Sequence, residues 1–161
     1  IGLLWQTGTI TPAQEHFITN LIRQKMIVAI DGLTNTSTHA NSKLFLLYLP
    51  DGELHEISLL YYSYLIQKKG HKVIYLGQMV PLEDVLMIGE TRKPDVFLTV
   101  FTANLKKENI EKHLRKLSLS FPGKKIFVSG LQFKLNDFDL PKNVELLEHA
   151  SDLKDKLNEF K

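Results

Sequence analysis

Short apolar segments alternate with amphipathic segments along most of the chain, from residue 43 to the end. Residues 44–49 form an uninterrupted apolar run, which is typical of a parallel strand covered on both faces. The predicted strands are 44–49, 73–76, 96–101, 126–128 and 144–147. The predicted helices are 57–69, 81–90, 105–117 and 151–160. This alternation predicts an α/β fold with a doubly wound, five-stranded parallel sheet flanked by helices.

The amino-terminal residues follow a different pattern. Thr11, Pro12 and Gln14 have the residue types and spacing of a helix start with a capping box, and Asp31-Gly32 ends the helix. The apolar residues at helical spacing between these ends are Ile18, Leu21, Ile22 and Met26. We expect residues 1–36 to pack on the main domain or to be part of a helical cap bundle. Residues 37–161 are then a Rossmann-like (flavodoxin-like) domain.

Composition and charge exclude several classes of protein. The 161-residue chain contains no cysteine, which excludes disulfides, thiolate zinc sites and a cysteine nucleophile. The formal charge is only +2, whereas a domain that binds duplex DNA directly is expected to be strongly basic. No apolar run approaches the roughly 18 residues of a membrane span, so we expect no membrane partner. Because the chain does not begin with Met, we expect it to be a fragment of a longer, cytoplasmic protein.

Ligands of open parallel sheets bind at the carboxyl ends of the strands. The loops predicted at that edge are residues 50–56, 77–80, 99–104 and 129–131. None of them has the glycine spacing of a dinucleotide or Walker phosphate site. The sequence also lacks a Ser–His–Asp or paired-carboxylate arrangement, so we do not expect an enzyme.

His55 is the candidate metal ligand at this edge. It follows the first predicted strand, and Glu53 lies two residues before it, where a carboxylate can hold one ring nitrogen and leave the other free for a metal. On spacing alone, a solvated loop histidine beside acids is the favoured interpretation. One histidine and one carboxylate do not complete a protein metal site, so the metal would have to arrive with most of its ligands supplied.

The stretch Glu53-Leu54-His55-Glu56-Ile57-Ser58 resembles the ExHxxG variant of the DxHxxG signature of cobalamin-binding domains. The resemblance implies that His55 is the lower axial ligand of cobalt and that Glu53 orients it. In that family a Ser-x-Leu element and a Gly-Gly element line the slot for the nucleotide tail of the cofactor. Thr99-Val100-Phe101 and Ser129-Gly130 lie at about those spacings. The lower-face cofactor contacts that the resemblance implies are Glu53, His55, Ser58, Thr99, Phe101, Ser129 and Gly130.

Trp5, followed after nine residues by Glu15-His16, resembles the helical cap of light-sensing, cobalamin-dependent transcription regulators of the MerR type. In those proteins the Trp, Glu and His lie above the corrin and enclose the adenosyl group, which implies adenosylcobalamin as the cofactor. The resemblance also implies a homo-oligomer. It further implies that a DNA-binding helix-turn-helix domain precedes residue 1 and is absent from this chain.

The sequence departs from the family pattern at four positions. Ser58 and Ser129 stand where the family has glycine, and Phe101 is bulkier than the usual leucine. Gln6 stands where the best-known photoreceptors carry a histidine that binds cobalt after illumination. These departures favour a degenerate, cofactor-free regulatory or oligomerisation module as the alternative. A corrinoid methyl-carrier domain shares the lower-face motif, but the cap pattern argues against it.

Overall fold

The computed structural model describes residues 11–33 and 41–160. The strands are β1 (Leu44–Pro50), β2 (Lys72–Val80), β3 (Val96–Val100), β4 (Lys125–Ser129) and β5 (Val144–Leu146). The helices are α1 (Pro12–Asp31), α2 (Ile57–Lys68), α3 (Leu82–Arg92), α4 (Lys107–Ser120), α5 (Gln132–Leu135) and α6 (Ala150–Glu159). All strands are parallel, in the order β2-β1-β3-β4-β5, which confirms the predicted doubly wound, Rossmann-like fold.

The core has two layers because successive residues of a strand point to opposite faces of the sheet. Phe45 and Leu47 of β1 pack with α2 and α6 in the first layer. Leu46 and Tyr48 pack with residues of α3 and α4 in the second layer. The strand order reverses between β1 and β3, which opens a crevice at their carboxyl ends.

The sequence predicts a loop at residues 77–80. This prediction is wrong, because these residues form the irregular carboxyl half of β2. Register shifts interrupt the pairing with β1, yet Pro50 still pairs with Val80. Gly77 (φ +81°) and Met79 (φ +56°) adopt left-handed backbone conformations at this irregularity. A bulge of this kind bends a strand without ending it, which alternation of residue types does not reveal.

Helix α1 begins and ends where the sequence predicts. The backbone N–H of Gln14 donates to Thr11 Oγ1 (3.3 Å), and the N–H of Thr11 donates to Gln14 Oε1 (2.8 Å), which completes the capping box. Gly32 caps the carboxyl end. The predicted boundary between residues 36 and 37 lies outside the described residues.

One face of α1 packs on α2, and another apolar face is exposed. Of the predicted apolar stripe, Ile18, Ile22 and Met26 are half-buried. Leu21 is 46% exposed and continues an outward face with Phe17 and Val28, which are 70% and 69% exposed. Three residues of the stripe thus lie on the half-buried side of α1, and Leu21 lies on its exposed side.

Candidate functional site

The loop between β1 and α2 carries the candidate metal ligand. A turn closed by the Glu53 N–H and the Pro50 carbonyl (3.0 Å), with Gly52 at φ +82°, directs the chain back over the sheet edge. The Glu53 side chain is fully buried at the crevice between β1 and β3. The next two residues, Leu54 and His55, are exposed.

The Glu53 carboxylate is held by four hydrogen bonds. Oε2 accepts from the backbone N–H groups of Thr102 (2.5 Å) and Ala103 (2.6 Å). Oε1 accepts from the N–H of His55 (2.8 Å) and from Nδ1 of its ring (2.7 Å). Burial opposes ionisation, but these donors outweigh it and lower the pKa of Glu53. Glu53 is therefore a buried anion tied to the loop after β3.

This carboxylate decides the tautomer of His55. An ionised carboxylate can only accept hydrogen bonds, so we assign the ring hydrogen to Nδ1, which donates to Glu53. The lone pair of the neutral ring is then on Nε2. The His55 side chain is 63% exposed, while its Glu53 partner is 0% exposed. A ring oriented by a buried carboxylate is the arrangement found at metal-bound histidines.

A cavity of about 570 Å³ adjoins this loop. It is bounded by the first turn of α2, the ends of β3 and β4, and the segment that leads from β5 into α6. Its lining residues include Ser58, Thr102, Ser129, Gly130, Leu147 and His149. The predicted residues Ser58, Ser129 and Gly130 are thus brought together on one cavity wall, and of these Ser58 is close in sequence to His55.

The Ser129 hydroxyl is engaged in two buried hydrogen bonds. It accepts from the hydroxyl of Tyr62 on α2 (2.9 Å) and donates to the carbonyl of Leu147 (2.8 Å). Burial raises the pKa of Tyr62, which keeps its phenol protonated as a donor. Ser129 therefore joins α2, β4 and the segment after β5 at the wall of the cavity.

Gly130 has a packing role of its own. Its backbone has φ +122°, and a Cβ built there would lie 2.2 Å from the carbonyl oxygen of Phe101. The Phe101 N–H donates to the Ser129 carbonyl (2.8 Å), and its carbonyl accepts from the N–H of Gln132 at the start of α5 (3.1 Å). Glycine at this position lets the ends of β3 and β4 approach closely. Helix α5 was not predicted, since four residues carry no periodic signal.

Thr99 and Phe101 do not line this cavity. Phe101 is buried in the second layer with Ile110 of α4, and Thr99, two residues earlier, shares that side of β3. The side chains of Thr99 and Phe101 therefore point away from those of Ser58 and Ser129, although the Phe101 backbone is hydrogen-bonded to that of Ser129. Thr102, in the loop after β3, lines the cavity instead, and spacing alone had missed it.

The predicted cap residues lie partly outside the described residues. Trp5 is one of these and has no structural description. Glu15 and His16 lie in the first turn of α1, where His16 Nδ1 is 3.1 Å from Glu15 and His16 is 75% exposed. Glu15 also accepts from the Thr19 hydroxyl (2.7 Å). These two predicted residues are neighbours on α1, and Glu15 is the less exposed.

A cluster that sequence reasoning missed ties α1 to the loop of His55. Arg23 Nε of α1 donates to Glu56 Oε2 (2.5 Å), and the hydroxyl of Tyr75 on β2 donates to Glu56 Oε1 (3.0 Å). Glu56 is 7% exposed and directly follows His55. The partners are far apart in sequence, so only the fold reveals the cluster.

The second missed group lies on the other face of the sheet. His113 lies on α4 among charged residues of the sequence, but its Nε2 is 2.7 Å from the hydroxyl of Tyr48 on β1. Burial lowers the pKa of His113 to about 4, so the ring is neutral at physiological pH. Burial also raises the pKa of Tyr48.

Within residues 11–33 and 41–160, no group of three or more histidine and acidic side chains is arranged to hold a metal ion. No helix within these ranges is long and apolar enough to cross a membrane.

The fold is shared with solved corrinoid-related structures, although no protein-family model matches the chain. A monomethylamine corrinoid protein of Methanosarcina barkeri has a TM-score of 0.75 at 14% identity, over 98% of this chain and 76% of that chain. A cobalamin-binding protein of Desulfitobacterium hafniense DCB-2 has a TM-score of 0.57 at 15% identity, over 99% of this chain and 76% of that chain. A methanol:cobalamin methyltransferase complex of Methanosarcina barkeri has a TM-score of 0.60 at 17% identity, over 97% of this chain and 60% of that chain. The class of fold is thus that of these corrinoid proteins.

Among curated proteins, the chain is similar to the HTH-type transcriptional repressor CarH of Myxococcus xanthus. The two are 28% identical over 131 residues, which is 81% of this chain and 42% of the repressor. The chain thus spans less than half the length of this relative. The similarity confirms the resemblance to such regulators that the motifs indicated.

Proposed function

We propose that this domain binds a cobalamin and acts as the sensor domain of a transcription regulator. One observation carries the proposal: the buried Glu53 anion holds Nδ1–H of His55 and leaves Nε2 free in an exposed ring. A neutral imidazole oriented in this way is a competent metal ligand. In this proposal His55 is the lower axial ligand of cobalt and Glu53 sets its orientation.

The described residues fit a corrinoid. The corrin ring itself supplies the equatorial ligands, so a single protein imidazole is sufficient. The cavity of about 570 Å³ beside Ser58 lies within the range of roughly 300–1,000 Å³ for small-molecule sites. We propose that it receives the nucleotide tail, with Ser58, Thr102, Ser129 and Gly130 along its wall. The side chains of Thr99 and Phe101 lie on the other face of the sheet, outside this cavity, and their contact with the cofactor stays a prediction from the resemblance.

We assign the upper face to α1 and the residues before it. Trp5, Glu15 and His16 would enclose the upper axial ligand, which we propose to be adenosyl. When bound, adenosylcobalamin supplies a weak cobalt–carbon bond that green light breaks. Glu15 and His16 would then lose a neighbour, and the seating of α1 on α2 would change. A ligand shifts such an equilibrium only if it binds the two arrangements unequally.

The regulator itself is a proposal that the similarity to CarH supports. In it, this domain works in the cytoplasm in the same polypeptide as a helix-turn-helix segment that contacts DNA. A change in the seating of α1 would alter a homo-oligomer and thereby DNA affinity. The domain has no catalytic role in this proposal.

The first experiment is a visible absorption spectrum after mixing with adenosylcobalamin in the dark and removing free ligand. We expect a retained chromophore with the spectrum of imidazole-ligated cobalt. His55→Ala is expected to shift that spectrum and weaken binding. His39→Ala, in the Ser-, Thr- and Asn-rich stretch of residues 34–42, is the matched control and is expected to change neither. Retention by wild type with a spectrum that His55→Ala leaves unchanged would remove the axial-ligand assignment.

Illumination with green light then tests the sensor. Release of the adenosyl group with a lasting spectral change supports light sensing with Gln6 in place of the family's histidine. A retained chromophore that light leaves unchanged supports a chemical sensor instead.

A second function is favoured by the wall of the cavity. The Ser129 side chain stands where the resemblance expects glycine, and both its hydrogen bonds are buried. A cofactor-free regulatory module would keep this arrangement permanently. A protein that stays colourless with excess adenosylcobalamin supports that module, and rapid methyl transfer from methylcobalamin to a partner enzyme supports a carrier.

A further inference from the structure

The Arg23–Glu56 ion pair joins two parts of the molecule that the proposed function treats as separate. Arg23 lies in the middle of α1, and Glu56 lies between His55 and the first residue of α2. Glu56 is 7% exposed and Arg23 is 44% exposed. A carboxylate buried to this degree requires its partner, because loss of the cation leaves an uncompensated charge.

The loop of His55 is thereby held from two sides. Glu53 fixes it to the loop after β3 through the N–H groups of Thr102 and Ala103. Glu56 fixes it to α1 through Arg23 and to β2 through Tyr75. Since only one residue separates Glu53 from His55, and none separates His55 from Glu56, a shift at either anchor moves the backbone of His55.

We propose that Arg23 and Glu56 form a latch through which the seating of α1 and the conformation of the His55 loop depend on each other. Glu56 is a positioning residue: it acts on the site through His55 and through α1. On the basis of the proposed function, a ligand bound at His55 changes the seating of α1 through this pair. Coupling between two positions is reciprocal, so a change on α1 must also alter the conformation of the His55 loop.

Amide hydrogen exchange of the ligand-free, 161-residue chain tests the reciprocity. We expect Arg23→Gln to speed exchange about tenfold both in α1 and at the loop amides of His55 and Glu56. Glu56→Gln, a change in the loop itself, is likewise expected to speed exchange at the loop amides and in α1. Lys25→Gln removes an exposed cation of the same helix and is expected to change neither region. Arg23→Lys keeps the charge and is expected to restore part of the protection.

The amides of β3 and β4 report global unfolding. If they accelerate as much as α1 and the loop, the variants act on overall stability and the latch is wrong. If Arg23→Gln loosens α1 and leaves the loop unchanged, the pair only docks the helix and the latch is also wrong.

Adenosylcobalamin added in the dark tests the link to the ligand. We expect it to slow exchange in α1 of the wild type and to do so much less in Arg23→Gln, whose affinity falls about tenfold. Equal slowing in both proteins overturns the ligand link. No retention of cobalamin by the wild type overturns the proposed function, while the exchange of the ligand-free chain still decides whether α1 and the loop are coupled.

Discussion

The hydroxyl of Tyr62 on α2 lies 2.9 Å from Oγ of Ser129 at the end of β4, and both side chains are buried. The Ser129 hydroxyl in turn donates a hydrogen bond to the carbonyl of Leu147. These bonds connect three segments that converge on the wall of the cavity. Their strength therefore sets how firmly that wall is held.

We expect Tyr62→Phe and Ser129→Ala to lower the free energy of unfolding by about 1–3 kcal/mol each, since each leaves a buried partner unsatisfied. The double variant is expected to lose less than the sum, with a coupling energy of about 1 kcal/mol. Urea unfolding of the four proteins measures the cycle. Tyr62→Phe combined with Ser118→Ala, whose hydroxyl bonds Asn143 elsewhere, is expected to be additive. Additive losses for Tyr62 and Ser129 would contradict the bond.

Replacing the buried carboxylate tests the orientation of His55. Glu53→Gln puts an amide NH2 among donors that need an acceptor, and we expect a loss of about 3 kcal/mol of stability. Nitrogen NMR shifts are expected to show His55 leaving the Nδ1–H tautomer. If the domain binds cobalamin, affinity should fall about 10- to 100-fold. Asp51→Asn, an exposed carboxylate of the same loop, is the control and is expected to leave the tautomer as it is. An unchanged tautomer in Glu53→Gln would show that Glu53 does not set it.

The glycine at the junction of β3 and β4 is expected to resist substitution. Gly130→Ala places a Cβ 2.2 Å from a backbone oxygen at φ +122°, so we expect a loss of about 3 kcal/mol or more. Gly123→Ala is the matched control, because nothing lies within 4 Å of a Cβ there. Its expected effect is within about 0.5 kcal/mol. Thermal and urea unfolding measure both, and equal stability of the two variants would contradict the close approach.

The pH dependence of stability is expected to carry the signature of His113. Its pKa is about 4 in the folded protein and 6.5 ordinarily, so between these values the unfolded chain binds a proton that the folded chain does not. The contribution is complete above pH 6.5 and is lost as pH falls towards 4. The expected loss of stability over this pH range is about 3 kcal/mol.

His113→Gln removes this titration. The variant is expected to lose about 3 kcal/mol less than wild type between pH 7 and about pH 4, whatever its stability at pH 7. Urea unfolding at several pH values measures the difference. Parallel curves for the two proteins would show that His113 titrates normally.

The sequence by itself determined the order and type of the main elements. Residues 44–49 are apolar at every position, because both faces of β1 are covered. A run of this length and composition is typical of a buried parallel strand. The start of α1 was equally well determined, since a capping box is local chemistry between Thr11 and Gln14. The proximity of Glu53 to His55 was predictable for the same reason, as the two are only two residues apart.

Tertiary structure decided everything that depends on which face a residue occupies and which distant residue it meets. Spacing pointed to Thr99, but its side chain lies on the other face of β3, since side chains alternate along a strand. The cavity is lined instead by Thr102, in the loop after β3. The partners Arg23–Glu56, Tyr62–Ser129 and Tyr48–His113 are separated by 33 to 67 residues. No periodicity links such positions; only the packing of helices on the sheet brings them within hydrogen-bond distance.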